Sequence, residues 1–334
     1  MCAILEEKNT EREVKYMEKI IFDTDIGGDC DDAGALALIH RLCDKGEAEL
    51  LAVTHCVNTP YYAGCIDAIN RFFGREVPVG VNMEAPFYKD ARGVYAADLC
   101  EKFPNKYPPE SHGTPEGPED TLRLMRRILA EAEDNSITLV VTGILNSMAR
   151  LITSGPDDIS PLTGKELVKQ KLKRSVVMGG RFFESWPMIV YESGNPKNHV
   201  MTWEYNIRGS RYDNTKTVLD NWEGDLIFTS YEIGAFIVTL TGYCAKAKGE
   251  DPVAVAYRNF TGGDVGRCSW DLTAVLEAIR PGVYWELHEF GRITVDEEMV
   301  THWHREEGCR HSYLLPKVDY DEVRQVIDDL VDGK

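Results

Sequence analysis

Two apolar runs bracket an acidic cluster near the start of the chain, and that arrangement limits the local fold more than any other feature. Lys19-Ile20-Ile21-Phe22 is β-prone, and Ala33-Gly34-Ala35-Leu36-Ala37-Leu38-Ile39 is helix-prone. Between them five aspartates fall within ten residues, at Asp23, Asp25, Asp29, Asp31 and Asp32. A chain that leaves a core before such a cluster and re-enters it afterwards carries the acids on a strand-to-helix turn. A solvated acidic loop is not held in this way. Carboxylates forced together at a strand end repel one another unless a cation sits among them. Hard oxygen donors of this kind suit Ca²⁺ or Mg²⁺ rather than zinc.

The same alternation continues along the chain. Strands are predicted at 19–23, 49–57, 77–81, 137–142, 175–178 and 225–229, with late strands at 292–295 and 312–315. Helices are predicted at 31–43, 61–73, 119–132, 145–152, 214–222, 231–240, 270–279 and 319–331. Residues 88–118, rich in Pro, Gly and charge, read as a long surface excursion, and 182–212 read as irregular. Strands alternating with helices predict a single α/β domain, with a mostly parallel central sheet flanked by helices, over residues 19–334. Residues 1–18 read as an N-terminal extension. In such sheets ligands gather at the carboxyl ends of the strands. The segments 23–32, Asn58, Thr142 and Met178-Gly179-Gly180 all fall at such ends, so four distant parts of the chain are expected to converge on one edge.

The 334 residues carry a formal net charge of −18. That balance argues against nucleic acid and anionic membrane surfaces as partners, since both call for a basic face. No stretch approaches a transmembrane span. Nine cysteines, an odd number with no CxxC pair, fit free thiols in a reducing compartment. The charged segment Met1–Glu18 lacks the apolar core of a secretory signal. The expected location is the cytoplasm.

The acidic turn resembles the amino-terminal signature of the inosine–uridine nucleoside hydrolase family: a strand, Asp-x-Asp-x-Gly, and a close Asp-Asp pair opening a helix. Asp23, Asp25, Gly27, Asp31 and Asp32 fill it, with two extra residues before the pair that make Asp29 an additional acid. Further likenesses follow in the family's order. They are Val57-Asn58-Thr59, Val141-Thr142-Gly143-Ile144-Leu145, Val176-Val177-Met178-Gly179-Gly180, Asn198 with Glu204-Tyr205-Asn206, and Trp270-Asp271-Leu272-Thr273. The resemblance runs from about residue 19 to 280.

The resemblance implies calcium-dependent hydrolysis of the N-glycosidic bond of a ribonucleoside or related N-riboside, giving ribose and a free base. It assigns Asp25, Asp32, Asp271 and the Thr142 carbonyl to Ca²⁺, with Asp25 also the general base that takes the proton of water. It assigns Asp31, Asn58, Met178, Asn198, Glu204, Asn206 and Trp270 to the substrate. A homodimer or homotetramer is expected from the resemblance alone. Without the family, these groups still offer hard oxygens to one cation and hydrogen-bonding partners to vicinal hydroxyls. Plainer roles stand beside these: Asn58 and Asn198 as turn residues near prolines, Glu204 as a surface acid, Met178 as core.

One departure stands out. Many family members have a histidine directly before the late aspartate to protonate the leaving base; here the residue is Trp270, whose indole is not an acid of useful strength. Trp270 can stack on an aromatic base, and His55 and His199 are possible substitutes. Trp186, Tyr191, Trp203 and Tyr231 are further stacking candidates. His302, His304 and His311 lack the acid or thiolate that completes a zinc site. A non-catalytic riboside-binding protein of the same fold is the main rival reading. A haloacid-dehalogenase-like phosphatase also opens with a strand and Asp-x-Asp, but it needs an acidic pair after a later strand, where this chain has Arg181-Phe182. No EF-hand loop is present.

Overall fold

In the computed structural model, residues 17–183, 188–192, 195–201, 203–247 and 250–334 are described, the strands 188–192 and 195–201 by their backbone. The predicted alternation folds into a nine-stranded sheet. Its members in chain order are β1 (Glu18–Thr24), β2 (Ala48–His55), β3 (Val79–Val81), β4 (Glu119–Asp120), β5 (Ile137–Val141) and β6 (Leu172–Met178). After the separate hairpin β7 (Met188–Glu192) and β8 (Asn195–Met201) comes β9 (Leu226–Thr229). Strands β10 (Val238–Thr239) and β11 (Arg267–Cys268) pair with each other. β12 (Trp285–Leu287) joins the sheet, β13 (Arg292–Val295) and β14 (Thr301–His304) form a second hairpin, and β15 (His311–Pro316) returns to the sheet. The sheet order is β12-β15-β9-β6-β5-β1-β2-β3-β4. Every neighbouring pair is parallel except the edge pair β12 and β15.

β1 sits centrally, between β5 and β2. Its alternate residues serve opposite faces, as the two-residue period of a strand requires. Ile20 and Phe22 pack with the helices Asp31–Asp44, Tyr62–Phe72, Trp270–Ile279 and Tyr320–Val331. Ile21 packs with the helices Thr121–Glu131, Asn146–Thr153 and Arg211–Asn221. All three are essentially fully buried, and each contributes about 2 kcal/mol of apolar transfer energy before chain entropy is counted. The parallel strands read as near-continuous apolar runs because both their faces are covered.

Several predicted elements differ in detail. The strand at 292–295 pairs with β14, not with the sheet. The helix expected over 231–240 ends at Gly234, where the chain runs so close to the Cα of Trp270 that a Cβ has no room. The excursion 88–118 is partly core: it contains the helix Ala96–Lys102 and buries Tyr95, Leu99 and Tyr107. Helices at Gly164–Lys171 and Pro252–Thr261 were not predicted, yet their start signals are in the sequence. Thr163 and Glu166 form a reciprocal capping box, and Asp251 caps a helix whose first residue is Pro252. No helix among the described residues is long and apolar enough to cross a membrane.

Candidate active site

The carboxyl ends of β1, β5 and β6 open onto one cavity of about 450 Å³. Asp25, Asp31, Asp32, Thr142, Met178, Glu204, Asn206, Trp270 and Asp271 all line it. Nine of the eleven predicted site residues, spread over almost 250 positions, thus meet where the sheet topology requires.

Asp31 and Asp32 occupy the first turn of the helix Asp31–Asp44, and Asp271 the first turn of Trp270–Ile279. Two helix N-termini therefore point partial positive charge at the same acids. Among the described residues this trio is the only group of three or more metal-ligating side chains, with ligand atoms within 4.8 Å of one another. All three are buried. The backbone N–H of Asp271 donates to Asp31 Oδ2 at 3.2 Å. Thr24 Oγ1 and, at 3.2 Å, Thr142 Oγ1 donate to Asp32 Oδ1. Burial first, and then the charge of neighbouring acids, holds the three carboxyls well above the usual carboxylate range. Asp25 is raised to about 7 by burial, then by Asp31 and Glu204. An all-oxygen trio this close and dry, with like charges unrelieved, fits a hard divalent cation. The sequence grouped Asp25 with Asp32 and Asp271; in the structure it is Asp31 that completes the tight trio, while Asp25 lines the same cavity.

The ribose candidates are more engaged than their sequence suggests. Glu204 caps the short helix Tyr205–Gly209, accepting from the N–H groups of Asn206 at 2.8 Å and Ile207 at 3.0 Å, and from Gly180 N at 3.2 Å. Burial still raises its carboxyl to about 7. Asn206 Nδ2 donates to the Thr142 carbonyl at 2.7 Å and to the Met178 carbonyl at 3.1 Å, tying the ends of β5 and β6 together. The carbonyl expected to face a cation thus already accepts one bond and keeps a second lone pair.

Asn58 does not line the cavity. Its amide donates to the carbonyls of Met83 and Ala85 at 3.0 and 3.1 Å, and its Oδ1 pairs with His112 Nε2 at 2.8 Å. It braces a loop, as the turn reading allowed. Asn198 lies on β8 and its side chain is outside the described residues, as are those of Trp186, Tyr191 and His199. Asp23, though part of the motif, is buried in β1 against Thr54, whose hydroxyl donates to it at 2.6 Å.

The histidines have local partners. His55 is buried, with Nδ1 on Val57 and Nε2 on the Ile26 carbonyl. His302 pairs with Asp296, and His304 with Thr294. Trp203 lies under the Arg208 guanidinium. Tyr231 does line the cavity, its ring 5.4 Å from that of Trp270, and its carbonyl accepts the indole N–H at 2.9 Å.

Sequence reasoning missed Arg267, Phe260, Val94 and Tyr205, which complete the wall. Phe260 and Val94 read as ordinary apolar residues, and Arg267 carried no motif signal. It also left Asp29 without a role, and Arg267 binds it across 238 positions.

The model of the family described as inosine-uridine preferring nucleoside hydrolase matches residues 20–323. The chain belongs to the inosine–uridine preferring nucleoside hydrolase family. That membership puts it among the N-glycosyl hydrolases. No curated protein matches the sequence. Among solved structures, the chain is similar to an inosine-uridine preferring nucleoside hydrolase from Bacillus anthracis, with TM-score 0.66 and 19% identity over 95% of this chain and 100% of that one. It is similar to an inosine-guanosine nucleoside hydrolase, with TM-score 0.67 and 21% identity over 94% and 99%. It is also similar to the type III effector protein XopQ, solved with adenosine diphosphate ribose, with TM-score 0.67 and 14% identity over 96% and 94%. At these identities the likenesses establish the fold.

Proposed function

We propose that this nucleoside hydrolase family member cleaves the N-ribosidic bond of a ribonucleoside or related N-riboside in a calcium-dependent reaction, releasing ribose and the free base. One observation carries the reading: six acids, Asp25, Asp29, Asp31, Asp32, Glu204 and Asp271, line one cavity together with the aromatic rings of Tyr205, Tyr231, Phe260 and Trp270. Breaking the C1′–N bond builds positive charge on the sugar ring, as in other glycoside hydrolyses. Buried carboxylates around the ring stabilise that charge.

Asp32 and Asp271, with Asp25, the Thr142 carbonyl and the adjacent Asp31, are the groups that would hold the cation. Such a cation offsets the acids' mutual repulsion and makes a bound water easier to ionise. Asp25 accepts the proton of the attacking water, a role its raised proton affinity suits. Asp31, Glu204 and Asn206 grip the ribose hydroxyls, Asn198 meets the 5′ side, and Met178 and Trp270 bound the sugar and the base. Asn58 enters this assignment only as the residue that fixes the neighbouring loop. The free state of the eight described cysteines supports a reducing, cytoplasmic setting. Self-association as a dimer or tetramer belongs to the same proposal and is tested by light scattering.

Reducing-sugar release from a panel of ribosides, with calcium and with chelator, tests the reading. Calcium-dependent release supports it; no release from any riboside overturns it. Trp270 favours one alternative, a riboside-binding protein without turnover, because the position lacks a proton donor. Calorimetric binding of ribosides without sugar release is the result that selects this alternative.

A further inference from the structure

The acid-lined cavity has a single positive counterpart. Among the described residues Arg267 is the only Lys, Arg or His side chain in its wall. It lies on β11, three residues before Trp270. Its Nε donates to Asp29 Oδ1 and Oδ2 at 3.0 and 3.1 Å, and its Nη2 to Oδ2 at 2.6 Å. The guanidinium also sits 4.9 Å from the centre of the Trp270 ring and 5.0 Å from that of Phe260. A forked ion pair and two ring faces hold the group in one orientation. Nη1 is left without a hydrogen bond to any described residue, and about a third of the side chain remains accessible. The anchor, Asp29, is the extra acid of the strand-to-helix turn. The cation therefore stands on the aromatic wall, beside the tryptophan that occupies the place of a proton donor.

We propose that Arg267 receives the departing base, its guanidinium donating to a leaving group that separates from C1′ as an anion, so that the preferred substrates are N-ribosides whose bases form stable anions. This rests on the hydrolytic reading above. The C1′–N bond breaks with its electron pair remaining on the base nitrogen. The water oxygen bonds to C1′, the water proton passes to Asp25 and from there to solvent, and the released base anion takes a proton from solvent. The sum is riboside plus water giving ribose plus base. Arg267 transfers no proton, since a guanidinium does not give one up near neutral pH. Its contribution is charge and geometry at the atom where negative charge develops. Asp29 and the two rings act on the reaction through Arg267, as positioning groups.

Two variants and two substrates test this. Arg267→Met keeps a long stem against the rings and removes the charge; Arg267→Lys keeps the charge and removes the fork. Inosine has a leaving group that gains from stabilisation of its anion, whereas 4-nitrophenyl riboside releases a phenolate that needs little help. The expected loss in kcat/KM for Arg267→Met is about 100-fold with inosine, carried mainly by kcat, the size seen when one preorganised donor is removed. With 4-nitrophenyl riboside the loss is expected to be at least about tenfold smaller. Arg267→Lys falls between wild type and Arg267→Met on the same ratio, and it answers the question alone should the methionine variant not fold. Equal losses on the two substrates, the mark of a merely structural role, overturn the inference and leave the hydrolytic reading intact. A wild-type protein that hydrolyses neither substrate overturns both.

Discussion

Replacing Asp271 by Asn is expected to have opposite effects on stability with and without a divalent cation. The change is isosteric, and the backbone N–H that donates to Asp31 is untouched. With ligand atoms within 4.8 Å and an effective dielectric constant near 20, each like-charged pair in the trio costs about 3.5 kcal/mol when both members are ionised. Proton uptake relieves part of this, which is the meaning of their raised carboxyls. A carboxyl raised in the folded state favours folding below the ordinary carboxylate pKa and loses that contribution as pH rises, so the metal-free trio is a liability at pH 7.5. For a chain of 334 residues the unfolding entropy is roughly 0.7 kcal/mol per degree. Asp271 faces both Asp31 and Asp32, so its replacement relieves two pairs and raises the metal-free melting temperature by at most about 10 °C. Calcium at a hundred times its dissociation constant adds about 2.7 kcal/mol to the wild type, a shift of about 4 °C. Differential scanning calorimetry in chelator and in calcium measures both arms. The expected pattern is a variant more stable than wild type in chelator and nearly indifferent to calcium. A calcium shift in Asp271→Asn as large as in wild type refutes the assignment of this carboxylate to the cation, as does a wild type that calcium does not stabilise.

Asp25→Asn is expected to lower kcat by about 10³-fold while the melting temperature holds or rises, since a general base and a buried like charge are removed together; steady-state kinetics and thermal melts check this. The acid limb of kcat/KM follows ionisation of Asp25, whose carboxyl sits near 7 through burial and its acidic neighbours. Activity therefore falls as pH drops through that region, and saturating calcium moves the limb to lower pH. Glu277, buried and raised from 4.5 to about 7 by burial, favours the fold below pH 4.5 and loses that contribution as pH rises through 7. Glu277→Gln keeps an acceptor for the Gly282 N–H and is expected to gain roughly 2–3 kcal/mol over wild type at pH 8, with little difference at pH 4; urea melts at the two pH values decide. Arg126, almost fully buried, donates to Asp157, Ser154 and the carbonyls of Ser160 and Leu162. Arg126→Leu strips these partners at once and is expected to cost about 3–5 kcal/mol, with turnover per folded molecule retained.

Part of the site was legible because its placement follows from short-range geometry. Asp31 and Asp32 are adjacent at the start of a strongly helical run, so they had to lie together at a helix N-terminus. Thr142 and Met178 end apolar strands, and parallel strands share a carboxyl edge, so their proximity to Asp25 followed. Capping pairs such as Thr163 with Glu166 were equally local and could have been read. Glu204 and Asn206 were picked out by the family resemblance, but not all their structural duties, because several of the backbone groups they satisfy come from Gly180, Thr142 and Met178 in other segments. Asn58 shows the reverse: a correct position at a strand end, with a side chain turned to a loop that only the folded excursion brings near.

Sequence by itself determined the alternation of strands and helices and the edge on which the acids gather, since both follow from periods of two and 3.6 residues and from strand direction. Tertiary structure alone decided that Asp31 rather than Asp25 joins the tight carboxylate trio, that Asp29 grips Arg267, and that Gly234 lets Trp270 press against the chain. Those contacts depend on the order of strands in the sheet and on side-chain packing between elements up to 240 positions apart, and no local period encodes either.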